Sequence, residues 1–302
     1  MTDTTTSTTA HATTTEPAGR PDHLVSRPDG RTLAVDDHGP TDGPVVVLLH
    51  SAPGSRRLDP DPAATAAAGV RLITIDRAGY GDSTPLDASV LPTITGHADD
   101  TAAVLDHLGI TDAAIAGWSA GGRVALALAA RRPELVRAVA VVGTPAPDDE
   151  VPWVPQEHRD MVPMLRANPL DAAPLLTGIF AGAEGFDPTD PSGVGAGPAD
   201  DAVLADPARR AAVVAMLAEG SRPGPAGVAA DIVADQVAPW SFDLGAIGAP
   251  VSLFYGDADV VVSPAHGEWY AARLADADLH VIEGAGHLLV LTQWSQILAA
   301  LA

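Results

Sequence analysis

Apolar residues along this chain follow two rhythms. Short runs with few polar interruptions, Val45 to Leu49, Val70 to Ile75, Ala113 to Trp118, Val136 to Val142, Val251 to Tyr255 and Leu279 to Ile282, have the length of strands. A strand that is apolar on both sides needs cover on both sides, which is the condition of a parallel sheet in an α/β protein. Between these runs lie stretches with helical spacing: Asp99 to Leu108, stopped by Gly109; Val124 to Ala130, closed by Arg132-Pro133; His266 to Leu274; and Leu289 to Leu301. Two further runs, His23 to Arg27 and Thr32 to Asp36, flank the turn sequence Pro28-Asp29-Gly30 and predict an antiparallel hairpin at the start of the domain. Strands alternating with helices at this interval predict βαβ units and a mainly parallel sheet covered on both faces.

From Thr144 to Trp240 the alternation stops. Proline and glycine become dense, and only Pro207 to Glu219 and Gly227 to Val237 keep a helical period. This stretch reads as a mostly helical insertion, with an irregular loop around residues 183–200, set into a core formed by residues 22–143 and 241–302. Residues 1–21 are threonine-rich with neither a basic nor an apolar block, and they read as a disordered tail rather than a secretory signal. The default location is therefore cytoplasmic, and no run reaches bilayer-spanning length, so no membrane partner is expected.

Composition narrows the chemistry. The 302 residues suffice for one large domain with an insertion. There is no cysteine, which removes disulfides, thiolate metal sites and a cysteine nucleophile, and every one of the 17 basic residues is arginine. Without lysine, Schiff-base, Ser-Lys and Walker-type phosphate chemistry are excluded. The formal charge of −22 opposes binding to nucleic acid and disfavours strongly anionic substrates. Solubility together with a preference for arginine accounts for such acidity, and adaptation to high salt is the alternative.

The stretch Ala113 to Arg123 carries the strongest chemical signal. A buried strand breaks at Gly117-Trp118-Ser119-Ala120-Gly121 and becomes a helix, the G-x-S-x-G spacing of a sharp strand-to-helix elbow that presents a serine hydroxyl at the sheet's end. Ser119 is the candidate nucleophile. A serine hydroxyl is weakly nucleophilic and needs a base, and the base needs an acid to orient it. His287, in the strand-end loop Gly284-Ala285-Gly286-His287, is the candidate base. The acid is Asp259 or Asp257, both just past the strand Val251 to Tyr255, with Asp259 favoured and Asp148 a more distant alternative. Two backbone N–H donors for a developing oxyanion would come from Ala120 and, in the loop after Leu49, from Ala52.

The segments His50-Ser51-Ala52-Pro53-Gly54-Ser55, Asp76-Arg77-Ala78-Gly79-Tyr80-Gly81-Asp82-Ser83, Gly117 to Gly122, Gly256-Asp257-Ala258-Asp259 and Gly286-His287 resemble the successive landmarks of the α/β-hydrolase fold family. The resemblance spans residues 22–302. It implies an eight-stranded, mostly parallel sheet with helices on both faces, a cap formed by residues 144–240, no cofactor and no metal, and hydrolysis through an acyl-enzyme. Carried over by position, it makes Ser119 the nucleophile, Asp259 the acid, His287 the base and Ala52 and Ala120 the oxyanion donors. One landmark departs: the family usually has His-Gly where this chain has His50-Ser51. Serine at the elbow argues against the dehalogenases and epoxide hydrolases of the same fold, which place aspartate there.

Substrate selection is expected in the insertion, where Trp153, Met161, Met164, Phe180, Trp240 and Phe242, with Trp118 at the elbow, are candidates to line an apolar cavity; each could equally glue the insertion to the core. The expected activity is that of a serine hydrolase on a carboxylic ester of a small to medium, largely apolar molecule. A carbon–carbon bond hydrolase or peptidase on the same triad, and a non-catalytic ligand-binding protein on the same scaffold, remain open, as does oligomeric state.

Overall fold

The computed structural model describes residues 19–182 and 187–302. Most of the expected N-terminal tail, residues 1–18, and positions 183–186 of the expected irregular loop lie outside the described residues. Eight strands form one sheet: β1 (His23–Ser26), β2 (Thr32–His38), β3 (Val45–Leu49), β4 (Arg71–Ile75), β5 (Ala113–Trp118), β6 (Val136–Val142), β7 (Val251–Gly256) and β8 (Ala277–Ile282). Their spatial order is β1-β2-β4-β3-β5-β6-β7-β8, with β1 and β2 antiparallel at one edge and the other six parallel. The apolar runs explain the burial: Val47 and Leu49 enter one core, while their neighbours Val46 and Leu48 enter the other. Such two-sided burial requires helices above and below the sheet.

On one face lie α2 (Ile94–His107), α3 (Ala120–Arg131) and α10 (Pro264–Ala271); on the other lie α1 (Pro62–Ala68) and α11 (Leu289–Ala300). Thr93 caps α2 by accepting from Gly96 N–H, so this helix starts five residues before its apolar stripe becomes readable at Asp99. Helix α1 is nearly all alanine and shows no period; its signal is the cap, Asp61, which accepts from Ala63 and Ala64 N–H. Among the described residues no helix is long and apolar enough to cross a membrane.

Between β6 and β7 the described residues contain helices and turns but no strand: α4 (Gln156–Arg159), α5 (Val162–Ala167), α6 (Pro169–Ala181), α7 (Asp201–Leu204), α8 (Pro207–Ser221) and α9 (Ala226–Ile232), whose last turn widens into a π-helical segment at Val233–Val237. The thirteen-residue α6 escapes a periodicity search because Pro174 lies inside it and its apolar residues surround the axis rather than forming a stripe. The segment divides in two by packing. Leu165, Leu176, Ala229 and Val233 gather α5, α6 and α9 around a small core of their own. Helix α8 instead sends Val213, Met216 and Leu217 into the core of the sheet.

The chain leaves β6 through a tightly held exit. Tyr255 and Tyr270 hydroxyls donate to Thr144 O (2.7 Å) and Pro145 O (2.9 Å), Arg123 Nε donates to Pro145 O (2.8 Å), and Ala146 N–H donates to His266 Nδ1 (3.0 Å). Only an imidazole without a proton on Nδ1 accepts that last bond. Burial first, and the charge of Arg123 second, hold the His266 pKa down to about 4. An unfolded chain takes this proton near pH 6.5. Between those values the unfolded state binds a proton the native state refuses, so the stability contributed by neutral His266 is complete above about pH 6.5 and is lost as pH falls toward 4. Equilibrium urea unfolding at a series of pH values should show this loss, and His266→Gln, whose amide oxygen can accept the same bond, should flatten it.

A second prediction concerns the turn from β5 into α3. A Cβ on Gly117 would stand 2.5 Å from Gly121 O and 2.5 Å from Gly122 Cα, both backbone atoms that no rotamer change can move. Gly117→Ala is expected to lower the urea midpoint by the equivalent of about 1–3 kcal/mol, the range for overpacking a rigid site.

Candidate active site

The parallel strands end together, and the chemistry-bearing residues stand just past their carboxyl ends, where α/β sheets present ligand sites. Ser119 follows β5 at φ 53°, ψ −122°, the one non-glycine residue with positive φ among the described residues. Such a conformation costs about 1–3 kcal/mol and persists only when the surroundings over-determine it. Here the Ser119 N–H donates to Val142 O (2.8 Å), extending the β5–β6 ladder, and its carbonyl accepts from Thr144 Oγ1 (2.8 Å) and Gly122 N–H (3.0 Å). The residue is half-buried, at the start of the twelve-residue α3.

His287 follows β8 and is 2% exposed. Its Nδ1 meets Asp259 Oδ2 at 2.7 Å, and the other Asp259 oxygen accepts from Val261 N–H (2.8 Å) and Val262 N–H (2.9 Å). With the carboxylate ionised, Nδ1 carries the hydrogen and Nε2 is left as an acceptor. The elbow and the base loop touch directly, since Trp118 Nε1 donates to His287 O at 3.0 Å. The imidazole also lies over Gly143, whose N–H continues the sheet to Phe254 O. Among the hydrogen bonds of the described residues none joins Ser119 Oγ to His287.

The other two acid candidates are occupied elsewhere. Asp257 is exposed and accepts from Gly284 N–H (2.6 Å), tying the turn after β7 to the turn after β8. Asp148 accepts from Trp153 and Val154 N–H (2.8 Å each) and pairs with Arg159 at 2.9 Å, so it shapes the start of the inserted segment.

The loop after β3 contains Ala52, half-buried, and it is built on a buried arginine. Arg77 donates from Nη1 to His50 O (2.5 Å) and from Nη2 to Ser51 O (2.8 Å), while its Nε and Nη2 hold the Asp231 carboxylate of α9 at 3.0 and 2.6 Å. Tyr80 OH donates to the same carboxylate at 2.7 Å, and His97 Nε2 stands 3.5 Å from it. Burial alone would raise the Asp231 pKa, but the guanidinium of Arg77, followed by His97 and Tyr80, holds it below the ordinary carboxylate range. Burial, then Arg77, pushes His50 well below the usual imidazole value. Ser51 replaces the glycine expected at this position without backbone cost: it lacks positive φ, is 1% exposed, and its hydroxyl donates to Pro53 O at 2.6 Å.

The aromatic and sulfur residues expected to line one cavity are not brought together. Trp118 is fully buried beneath the elbow. The guanidinium carbon of Arg123 is 5.7 and 5.5 Å from the ring centroids of Trp153 and Trp240, and Trp240 stacks on Phe242 at 5.3 Å. Met161 and Phe180 pack on the separate core of α5, α6 and α9, and Met164 is exposed. A cavity of about 420 Å³ opens between the Pro85–Pro92 loop and helices α6 and α9, and none of Ser119, Asp259 or His287 lines it.

Sequence reasoning missed Asp231 and Asp200. Both carboxylates come from the inserted segment, 154 and 87 positions away from Arg77 and His287 respectively, and no local pattern marks them. Arg77 stands in one of the landmark segments, but nothing in its spacing says that it carries the loop after β3.

Comparison with known proteins agrees with this architecture. Residues 44–180 match the family model described as alpha/beta hydrolase fold. The chain is 32% identical over 230 residues to the pimeloyl-[acyl-carrier protein] methyl ester esterase of Aromatoleum aromaticum, covering 73% of this chain and 81% of that protein. It is 33% identical over 125 residues to a bifunctional esterase/perhydrolase of Acinetobacter calcoaceticus, covering 40% of this chain and 44% of that one. A hydrolase from Pseudomonas aeruginosa superposes with a TM-score of 0.67 at 22% identity, over 92% of this chain and 96% of its own.

Removing Arg77 would strand the Asp231 carboxylate and two loop carbonyls away from water. Arg77→Met is therefore expected to cost about 3–5 kcal/mol of unfolding free energy, the range for breaking a buried ion pair from one side, read as a lower urea midpoint.

Proposed function

The chain belongs to the α/β-hydrolase fold family, and on that premise we propose that it is a serine hydrolase that cleaves carboxylic esters through an acyl-enzyme. The observation that carries this reading is the 2.7 Å hydrogen bond between His287 Nδ1 and Asp259, formed beside the strained turn of Ser119.

In this reading Ser119 Oγ attacks the ester carbonyl carbon and gives its proton to His287 Nε2. Asp259 holds the imidazole in the tautomer that can accept that proton, and it stabilises the imidazolium once formed. The carbonyl oxygen becomes an oxyanion, received by the N–H groups of Ala52 and Ala120, the latter at the positive end of α3. Collapse of the tetrahedral intermediate breaks the ester C–O bond, and His287 returns its proton to the departing alcohol. A water then repeats the attack with His287 as base, releasing the acid and restoring Ser119.

Residues 144–240 serve as the cap in this proposal. The proposed substrate is a small to medium, largely apolar ester, and the overall charge of −22 disfavours strongly anionic ones. The names of the esterase relatives favour an ester over the other bonds this fold cleaves.

A fluorophosphonate, which traps an activated serine, should label the wild-type chain at Ser119 and leave Ser119→Ala untouched; equal labelling of both would refute the assignment. On p-nitrophenyl acetate, Ser119→Ala and His287→Ala are expected to lower kcat by on the order of 10⁴–10⁶-fold, and Asp259→Asn by about 10⁴-fold.

A further inference from the structure

The turn at residues 191–200 of the inserted segment lies directly against the base loop, and its last residue, Asp200, is 0% exposed. One oxygen of its carboxylate accepts from His287 N–H (3.1 Å) and from Gly197 N–H (2.9 Å), and the other accepts from Leu288 N–H (2.9 Å). Unlike Asp231 and Glu219, which are also buried and come from the same segment, Asp200 forms no ion pair among the described residues. Its charge is met by N–H groups alone, two of which belong to the loop carrying His287 and lead into the twelve-residue α11. The loop is shaped to receive it: a Cβ on Gly286 would stand 2.5 Å from the Asp200 carboxyl carbon.

We propose that Asp200 is a positioning residue for His287, its carboxylate fixing the backbone from which the imidazole reaches toward Ser119. This rests on the reading of His287 as the base. The ring itself is already held at two edges. Asp259 takes Nδ1, and the backbone at Gly195 comes so close that a Cβ there would stand 2.8 Å from Cδ2. The start of the loop is anchored separately, since Ala285 O accepts from Ala258 N–H at 3.1 Å. Displacement of residues 286–288 as a unit is opposed by Trp118 Nε1 on the His287 carbonyl and by the two N–H bonds to Asp200, the latter being the restraint that the 144–240 segment supplies. A shift of about 1 Å in a proton-transfer geometry can lower the rate by roughly 10²-fold. Capping of α11 alone would engage the N–H groups from its cap residue Leu288 onward and would not involve the N–H of the base, which precedes that residue.

Asp200→Asn keeps the volume but turns one acceptor oxygen into a donor, so at least one of the three N–H groups loses its partner. In the full chain, with active sites counted by fluorophosphonate titration so that unfolded molecules do not contribute, this variant should lower kcat on p-nitrophenyl acetate by roughly 10- to 100-fold. The KM should stay within about twofold, and the downfield proton resonance of the His287 Nδ1–H should move or broaden. Unchanged kcat with an unmoved resonance would overturn the proposal, as would a raised KM with kcat intact, which would place Asp200 in substrate binding. Should Asp200→Asn be too unstable to assay, Asp200→Ser, which adds no bulk and keeps one oxygen acceptor, is read by the same outcomes. Failure of the wild-type chain to react with the fluorophosphonate would instead bring down the reading of Ser119 and His287 as a catalytic pair, so the two failures are distinguishable.

Discussion

Backbone strain at one serine sets the terms for much of this molecule. Ser119 is held at a φ that L-residues avoid, and the force that holds it is the continuity of the sheet on one side and the helix on the other. The turn can be that sharp only because Gly117 lets the backbone of Gly121 and Gly122 come close to β5, while Gly121 itself lies against the end of β3 and Gly122 against Thr144. Strand β5 is flanked on both sides by β3 and β6, whose parallel pairing aligns their ends. The loops after β3, β7 and β8 therefore open toward the same region as the elbow, and residues from four distant parts of the chain gather there.

A second constraint is electrostatic. The chain is strongly acidic, yet its interior places carboxylates opposite arginine forks. Arg56 is fully buried and bridges Asp36, Asp76, Asp82 and Glu219, drawing together β2, the loops after β3 and β4, and α8. Burial still raises the pKa of Asp76 despite that company. Arg77 joins Asp231 to the loop after β3 in the same way. An arginine has five donors in a rigid plane and can satisfy two carboxylates and a carbonyl together, which a single lysine ammonium does with less geometric definition. A chain whose basic residues are all arginine is suited to such multi-partner junctions.

The parts of the structure legible in the sequence were those decided by local pattern. The runs Val45 to Leu49 and Val136 to Val142 are strands because no other element buries both sides of so short a segment, and both appear with the expected bounds. The same logic failed for α6, where Pro174 and an all-round apolar surface hide the period. At the candidate site, the spacing of Gly117, Ser119 and Gly121 and the loop positions of Asp259 and His287 could be read because turn chemistry is local. The grouping of the aromatics could not. Trp153 and Trp240 are drawn to the buried cation of Arg123, and a preference of that kind is visible only once α3 and the inserted segment are in place. Asp200 and Asp231 were hidden for a related reason: nothing near an aspartate in the chain records which distant N–H or guanidinium will meet it.

The inserted segment is continuous in sequence, which makes it look like a module that could be exchanged between relatives by cutting at the two junctions. Its buried acids say otherwise. Transplanted alone, it would arrive with Glu219, Asp231 and Asp200 but without Arg56, Arg77 and the glycine-bearing loop that receive them. A buried carboxylate deprived of its ionic partner costs about 3–5 kcal/mol; Asp231 would bear that loss in full, while Glu219 would keep only Arg222 at 3.2 Å, a penalty that takes a large part of the stability of a typical domain. The unit of exchange in this fold is therefore a set of matched residues on both sides of the seam, and chimaera design or evolutionary recombination has to move that set together.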